Sequence, residues 1–273
     1  MTVQRLRRLC QVGQPPNGRI GPPGRTGLIS GAQLARDCST VAPPTEPRSR
    51  TSPPARLSFW RKMCTFVPLN MITVILRAMT SLVSILCFTG TLNGNKLLFN
   101  AHSVWHRMEW YRLFTYGVVH GGLGHIFFNI LTLYFFGRVV AQYFALAFGG
   151  TLGIVRYVVL YVSAIAVSSI WDLVKYRDDW NYNAVGASGA VSAILFASIL
   201  FEPQMGIYIY LIPIPVPGYI FAPLYLLYCW YMARRNMDNI GHTAHFLGAV
   251  YGLLFPLVCR PDIFQHFLVQ LGL

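Results

Sequence analysis

Apolar segments separated by short polar breaks make up most of the chain after residue 62. Six of these segments approach the length that an α-helix needs to cross about 30 Å of hydrocarbon. They run approximately over residues 68–89, 122–144, 154–171, 185–201, 207–233 and 242–259. The pattern therefore predicts an all-α membrane protein with six transmembrane helices.

The fifth segment is interrupted by proline. It contains the stretch IPIPVPG at residues 212–218, and Pro223 follows within the same segment. Proline lacks a backbone N–H and bends helices, so we expect an irregular first half and a regular helix that begins near Pro217. We expect this helix to be short and loosely held.

The loop between the first two segments is rich in aromatic residues. Amphipathic rings favour the boundary between lipid and water, so this loop is predicted to lie in the membrane surface through Trp105, Trp110 and Tyr111.

The first 62 residues have a different composition from the rest. The stretches GQPPNGRIGPPGRTG and APPTEPRSRTSPPARL are rich in Pro, Gly, Ser and Arg and carry almost no periodic apolar pattern. We therefore expect a disordered basic tail over residues 1–62 and a six-span domain over residues 63–273. Three interpretations of the tail are open. It is a cytosolic arm that contacts anionic lipid, an organelle transit peptide, or sequence upstream of a translation start at Met63 or Met71.

Composition supports the membrane class. The chain is 54% hydrophobic and 11% charged, with a mean hydropathy of +0.47, whereas about one quarter of a soluble domain is charged. Half of the 22 basic residues precede Met63, so the net charge of +13 describes the tail more than the fold. We expect a lipid bilayer, and no nucleic acid, as the partner. Six cysteines without CxxC spacing suggest neither a zinc knuckle nor a disulfide framework: Cys10, Cys38, Cys64, Cys87, Cys229 and Cys259.

Polar residues stand at the beginning of the second, fourth and sixth segments, and such residues are functional candidates inside a membrane. If successive segments alternate in direction, these three segments run the same way, which puts their polar residues at one membrane depth. In chain order the polar and small residues concerned are His120, His125 and Asn129; Gly186, Ser188 and Gly189; and His245, Gly248 and Gly252. The last three form a histidine followed by a small-xxx-small stripe that lets another helix approach closely.

The polar residues of these three segments are of the types that acyl-transfer chemistry requires. A serine, a histidine and amide or imidazole donors supply a nucleophile, a general base and oxyanion donors. Taken alone, a serine among small residues more often serves helix packing. All nine carboxylates fall in the tail, in loops or at segment ends, so catalysis would use a dyad. His242 and His245 form HxxH, but there is no HExxH and no acid within the segments, so we expect no metal and no cofactor.

Residues 70–260 resemble the rhomboid intramembrane serine proteases. The GxSG turn of that family matches Gly186–Gly189, and its AHxxGxxxG pattern matches Ala244, His245, Gly248 and Gly252. Its HxxxxHxxxN pattern matches His120, His125 and Asn129, and its W-R segment is similar to Trp110 and Arg112. Lys and Arg in the loops do not decide the orientation, but the resemblance implies a six-helix rhomboid bundle with a cytosolic N-terminus.

The resemblance also implies roles. Ser188 would be the nucleophile and His245 the base, while His125, Asn129 and Gly186 would stabilise the oxyanion and position the substrate. His120, Gly189, Gly248 and Gly252 would give structural support. Many family members carry an aromatic residue one turn after the serine that stacks on the histidine, but this chain has Ser192 there. Ring support for His245 must therefore come from elsewhere.

The implied substrates are single-span membrane proteins whose helices unwind easily near the membrane edge. An inactive rhomboid-like protein that binds membrane clients is the alternative, although such relatives typically lose the serine or the histidine. A channel or transporter would usually show internal repeats and paired intramembrane charges, which this sequence lacks. We expect a multi-pass protein of a bacterial-type plasma membrane, with an organelle membrane as the alternative.

Overall fold

The computed structural model describes residues 69–209, 213–235 and 240–273. The predicted tail over residues 1–62, and its boundary with the domain at residue 63, lie outside these ranges.

Helices occupy all six predicted apolar segments. They are α1 (Leu69–Phe88), α4 (Leu123–Phe148), α5 (Gly150–Ser168), which α6 (Ile170–Lys175) continues, α7 (Ser188–Phe201), α8 (Gly218–Arg235) and α9 (His242–Cys259). Among the described residues, three further α-helices lie outside these segments: α2 (Ala101–Arg107), α3 (Arg112–Thr115) and α10 (Ile263–Leu271). The prediction of a helical membrane protein is confirmed.

Within the described ranges, four stretches are long and apolar enough to cross a membrane: α1, α4, α5 together with α6, and α9. Helix α7 is apolar but has only 14 residues, which corresponds to a length of about 21 Å. The count of six spans therefore stays a prediction, because α7 is shorter than the hydrocarbon layer and α8 is not among these four stretches.

Helix α7 lies at the centre of the bundle. Every residue of this helix after Ser188 is buried, and the helix packs against α4, α5 and α9. It has no polar face, which accounts for an apolar run with no helical periodicity in the sequence. A helix enclosed on all sides is a rigid support for the residue at its first position.

The fifth segment has the irregular beginning that its prolines predicted. Two short strands, β3 (Gly206–Ile207) and β4 (Val216–Pro217), pair in antiparallel fashion before α8 begins at Gly218. Within α8 only Gly218 and Cys229 are buried. The structure thus confirms a helix that begins beside Pro217, and it shows that α8 packs less extensively than α7.

The loop between α1 and α4 is folded and is attached to the segment before α7. Strand β1 (Phe99–Asn100) pairs with β2 (Asn183–Ala184), and the Asn100 amide donates to the carbonyl oxygens of Trp180 and Tyr182 at 3.0 and 3.1 Å. The Asn100 side chain also accepts from the backbone N–H of Ser103 at the start of α2. The loop therefore fixes the chain that leads to Ser188.

Candidate active site

The polar residues at the beginnings of α4, α7 and α9 line one cavity of about 1170 Å³. The sequence-predicted members that line it are His125, Asn129, Gly186, Ser188, Gly189 and His245. His120 lies beside this group, with its ring centroid 4.9 Å from that of His125. Gly248 and Gly252 lie on the contact between α7 and α9. The structure thus brings together residues that are more than 100 positions apart in the chain.

Ser188 is the first residue of α7. The first N–H groups of an α-helix have no partner within the helix, and the helix dipole favours negative charge at this end. A serine at this position combines a hydroxyl with a backbone donor beside it. The helix start can therefore act as both a nucleophile and part of an oxyanion site.

Gly186 combines an unusual backbone conformation with a close contact. Its φ is +113°, a region that L side chains rarely adopt. A Cβ at this position would overlap the His125 ring, at 2.6 Å from Nε2. The glycine therefore allows the imidazole of His125 to lie against the turn that leads to Ser188.

Glycines also determine how closely α7 approaches α9. A Cβ on Gly248 would collide with the carbonyl group of Gly189, and a Cβ on Gly252 would collide with the backbone of Ala193. The first contact occurs one residue after Ser188 and three residues after His245. Only glycine at these positions permits this separation, which brings the serine and histidine helices together at the cavity.

His120 is held by a serine of α1. The Ser84 hydroxyl donates to the carbonyl oxygen of Val118 at 2.9 Å. Oγ of Ser84 also lies 2.9 Å from Nδ1 of His120. Because a hydroxyl carries one hydrogen, Nδ1 of His120 is the donor in the second bond. Burial, with a smaller contribution from neighbouring His125, lowers the pKa of His120 to about 4. A neutral, oriented His120 therefore packs against His125.

Sequence reasoning missed Ser84, although α1 carries a signal. Three buried hydroxyl residues, Thr73, Thr80 and Ser84, are spaced by seven and four positions and therefore share one face of an otherwise apolar helix.

Asn129 is buried on the same face of α4 as His125. Its amide donates one hydrogen to the carbonyl oxygen of His125 at 3.1 Å. Since a carboxamide carries two N–H groups, the second remains for a ligand in the cavity. The Asn129 side chain is thus oriented by its own helix.

Ser192, which stands where many family members carry an aromatic residue, contacts a tyrosine of another helix. The hydroxyl groups of Ser192 and Tyr225 lie 3.0 Å apart, and both residues line the cavity with His245. The His242 ring lies edge-on to the His245 ring, with centroids 6.1 Å apart, and Tyr228 packs edge-on against His242 at 5.5 Å. The His245 ring therefore has a ring neighbour on its own helix, His242, which in turn packs against Tyr228 of α8.

Two residues of the cavity lining, His242 and His245, also belong with the buried Cys229 to a group of possible metal ligands that sequence reasoning did not find. One ligand atom each from Cys229, His242 and His245 lies within 4.8 Å of the other two. Cys229 comes from α8 and the histidines from α9, so the sequence showed the HxxH pair without its third member.

The loop before α4 supports the turn at Gly186. The Gly186 N–H donates to the carbonyl oxygen of Tyr116 at 2.9 Å. Arg112, which belongs to the W-R segment, is buried and donates to the carbonyl oxygens of Asn95 and Leu98. It also pairs with Glu109, and this hydrogen bond lowers the pKa of the Glu109 carboxyl. The arginine thus stabilises the loop that holds the turn.

Comparison with known proteins gives a consistent result. The family model described as the rhomboid domain matches residues 107–262. The chain is 31% identical over 144 residues to "RHOMBOID-like protein 12, mitochondrial" of Arabidopsis thaliana, covering 50% of this chain and 43% of the relative. It is 29% identical over 151 residues to "Rhomboid protease GluP" of Bacillus subtilis (strain 168), covering 52% of this chain and 25% of the relative. The matched region spans less than half the length of either relative.

Proposed function

The chain belongs to the rhomboid family, and from this premise we propose that it is an intramembrane serine endopeptidase with a Ser188–His245 dyad. It is an integral membrane protein, and one of its relatives is named as a protease. The alternative, an inactive client-binding protein, is not favoured, because both members of the dyad are present in the chain.

The proposed reaction has two halves. His245 accepts the hydroxyl proton of Ser188 while Oγ attacks a peptide carbonyl carbon, which gives a tetrahedral intermediate. The Ser188 N–H, Asn129 and His125 donate to its oxyanion. The C–N bond then breaks as His245 returns the proton to the leaving amine. In the second half, water gives its proton to His245, attacks the acyl-enzyme and releases the carboxylate product.

The contact between Gly189 and Gly248 is the observation that carries this proposal. A Cβ on Gly248 would collide with the backbone of Gly189, so the two helices approach this closely only because residue 248 has no side chain. The contact lies directly beside Ser188 on one helix and one turn after His245 on the other. Helix packing alone would explain the glycines, but it would not explain why Ser188, Asn129 and three histidines line the adjoining cavity.

We propose single-span membrane proteins as substrates. A substrate helix must reach the cavity from the lipid and expose a peptide bond, which favours sequences with small or helix-breaking residues near the membrane edge. Helix α8 is the side of the bundle most open to such passage, because nearly all of its side chains are at least partly exposed. The hydrolytic water would come through the polar cavity.

Labelling with a fluorophosphonate tests the nucleophile without knowledge of a substrate. The purified 273-residue chain should be labelled, and Ser188→Ala should lose the label. Ser192→Ala is the matched control: it removes another hydroxyl on the same helix and the same cavity, and it should keep the label. Labelling that persists in Ser188→Ala, or that depends on Ser192 instead, would show that the nucleophile is wrongly assigned.

A further inference from the structure

We propose that Cys229, His242 and His245 form an inhibitory site for a divalent cation of Zn²⁺ type. The binding of the metal does not depend on what the protein catalyses. Its inhibitory effect rests on the proposed function, since His245 is the base of the proposed dyad.

The donor set determines the class of cation. A thiolate and two imidazoles are typical ligands of zinc and of related transition-metal ions, whereas magnesium and calcium require oxygen ligands. The Cys229 thiol is fully buried and His242 is 3% exposed. These two groups have therefore already lost their hydration shell in the folded protein, which lowers the cost of enclosing them around a metal.

The present spacing is slightly open for a bound ion. In a tetrahedral zinc site, bond lengths of about 2.0–2.3 Å place the ligand atoms roughly 3.3–3.6 Å apart. The three atoms here lie within 4.8 Å of one another, so the cluster must contract by roughly 1 Å. Cys229 belongs to α8, the helix with few buried side chains. Binding would therefore draw α8 towards α9.

The chemistry of binding involves no change of oxidation state. The Cys229 thiol releases its proton to solvent as the metal–sulfur bond forms, and each imidazole donates the lone pair of its unprotonated nitrogen. A neutral imidazole has one such lone pair, because the other nitrogen carries hydrogen. His245 bound to a metal therefore has no lone pair left to accept the proton of Ser188.

Two consequences follow for the enzyme. The metal removes the general base, and it also links α8 to α9 across the side of the bundle by which substrate would reach the cavity. Three protein ligands leave one tetrahedral position open, and this position would be filled by water from the cavity.

Cobalt absorption tests binding separately from activity. Co²⁺ replaces Zn²⁺ in sites of this kind, and a cysteine ligand gives a thiolate-to-cobalt charge-transfer band. The 273-residue chain with Cys10, Cys38 and Cys64 changed to serine should show this band with one Co²⁺ per chain. Cys229→Ala should abolish it, and His242→Ala should weaken cobalt binding at least roughly tenfold, the loss that even an outer-shell change causes.

Cys259→Ala is the matched control, because Cys259 is a partly buried thiol on the same helix as the two histidines. It should keep the band and the affinity. A band that persists in Cys229→Ala, or that depends on Cys259, would overturn the site. If Cys229→Ala does not fold, as judged by its thermal transition, His242→Ala decides the same question.

The inhibitory effect is measured as the ratio of cleavage rates with and without Zn²⁺ within each variant. Zinc should inhibit the parent protein at concentrations that displace cobalt, and Cys229→Ala should need at least roughly tenfold more zinc. Equal zinc sensitivity of the two proteins would refute the inhibition. If no variant cleaved a substrate, the proposed function would fail while the cobalt band still decided the site. If cleavage occurred without a Cys229-dependent band, the metal site alone would fail.

Discussion

Replacing Gly248 by alanine should move the serine and histidine helices apart without changing the identity of any proposed catalytic residue. The new Cβ would lie 2.7 Å from the carbonyl carbon and 3.0 Å from the Cα of Gly189, and it would also collide with the carbonyl oxygen. All three atoms belong to the backbone of a buried helix, so no side-chain rotation can relieve the clash.

The size of the effect follows from that geometry. Ordinary contact with a Cβ begins near 3.4 Å, so the backbones must move apart by at least roughly 0.7 Å, and overpacking of this kind costs about 1–3 kcal/mol of folding stability. A displacement of about 1 Å between reacting groups can lower a rate about a hundredfold. We therefore expect Gly248→Ala to lose roughly a hundredfold in turnover with a modest loss of thermal stability.

The assay is cleavage of a reporter transmembrane substrate in proteoliposomes, with turnover and KM determined separately and the thermal transition recorded for each variant. Gly124→Ala is the control, because a Cβ at Gly124 meets nothing within 4 Å. The effect should fall mainly on turnover. If folded Gly248→Ala cleaved as fast as Gly124→Ala, the close approach of α7 and α9 would not be what aligns Ser188 with His245.

Three further predictions address other parts of the molecule. Deletion of residues 1–62 should leave cleavage of the reporter largely intact, because every proposed catalytic group lies downstream; a loss above roughly tenfold would mean that the tail contributes to the enzyme. Hydrogen exchange should be faster over residues 219–227 of α8 than in α7, since α8 buries few side chains, and equal protection would argue against α8 as the path of substrate access. The stability of the protein should fall as the pH drops from 6.5 towards about 4, because the unfolded chain then binds a proton at His120 that the folded protein, with its lowered pKa, does not. Thermal unfolding against pH should show a weaker dependence for His120→Asn, whose amide keeps a donor near Ser84, and an unchanged dependence would contradict this origin.

Much of the fold was readable from the sequence because helices that cross lipid must satisfy their backbone internally and must be apolar on the outside. The six apolar runs each contain a helix, and the prolines before Gly218 identified the start of α8. The run over residues 185–201 is longer than α7, because the turn from Val185 to Ala187 is also apolar. Hydrophobicity alone does not distinguish such a turn from the helix that follows it.

The short elements escaped prediction because long-range contacts stabilise them. Asn100 caps α2, and its amide donates hydrogen bonds to the carbonyl oxygens of Trp180 and Tyr182, which follow 80 and 82 positions later. No local pattern in the sequence indicates this pairing. Helix α10 likewise makes a tertiary contact: Nε2 of His266 lies 3.1 Å from the carbonyl oxygen of Phe201 at the end of α7.

The candidate site was partly readable for a different reason. Ser188, His245 and the α4 pair stand at the beginnings of alternate segments, so alternation of chain direction predicts that they lie at one membrane depth. The rotation of one helix against another is not encoded in this way. For that reason the bond between Ser192 and Tyr225, and the approach of Cys229 to the α9 histidines, appeared only in the structure.

The central claim is that His245, and not the neighbouring His242, is the base that acts with Ser188. Three residues put these histidines roughly 60° apart on α9, close enough for either to be assigned the role. Cleavage of the reporter substrate, measured without added metal for Ser188→Ala, His245→Ala and His242→Ala at matched expression and melting temperature, decides between them. Because members of a dyad act as a unit, His245→Ala should match Ser188→Ala, with a loss of several orders of magnitude. His242→Ala should keep its activity within about tenfold, whereas loss of activity in His242→Ala with retention in His245→Ala would contradict the assignment.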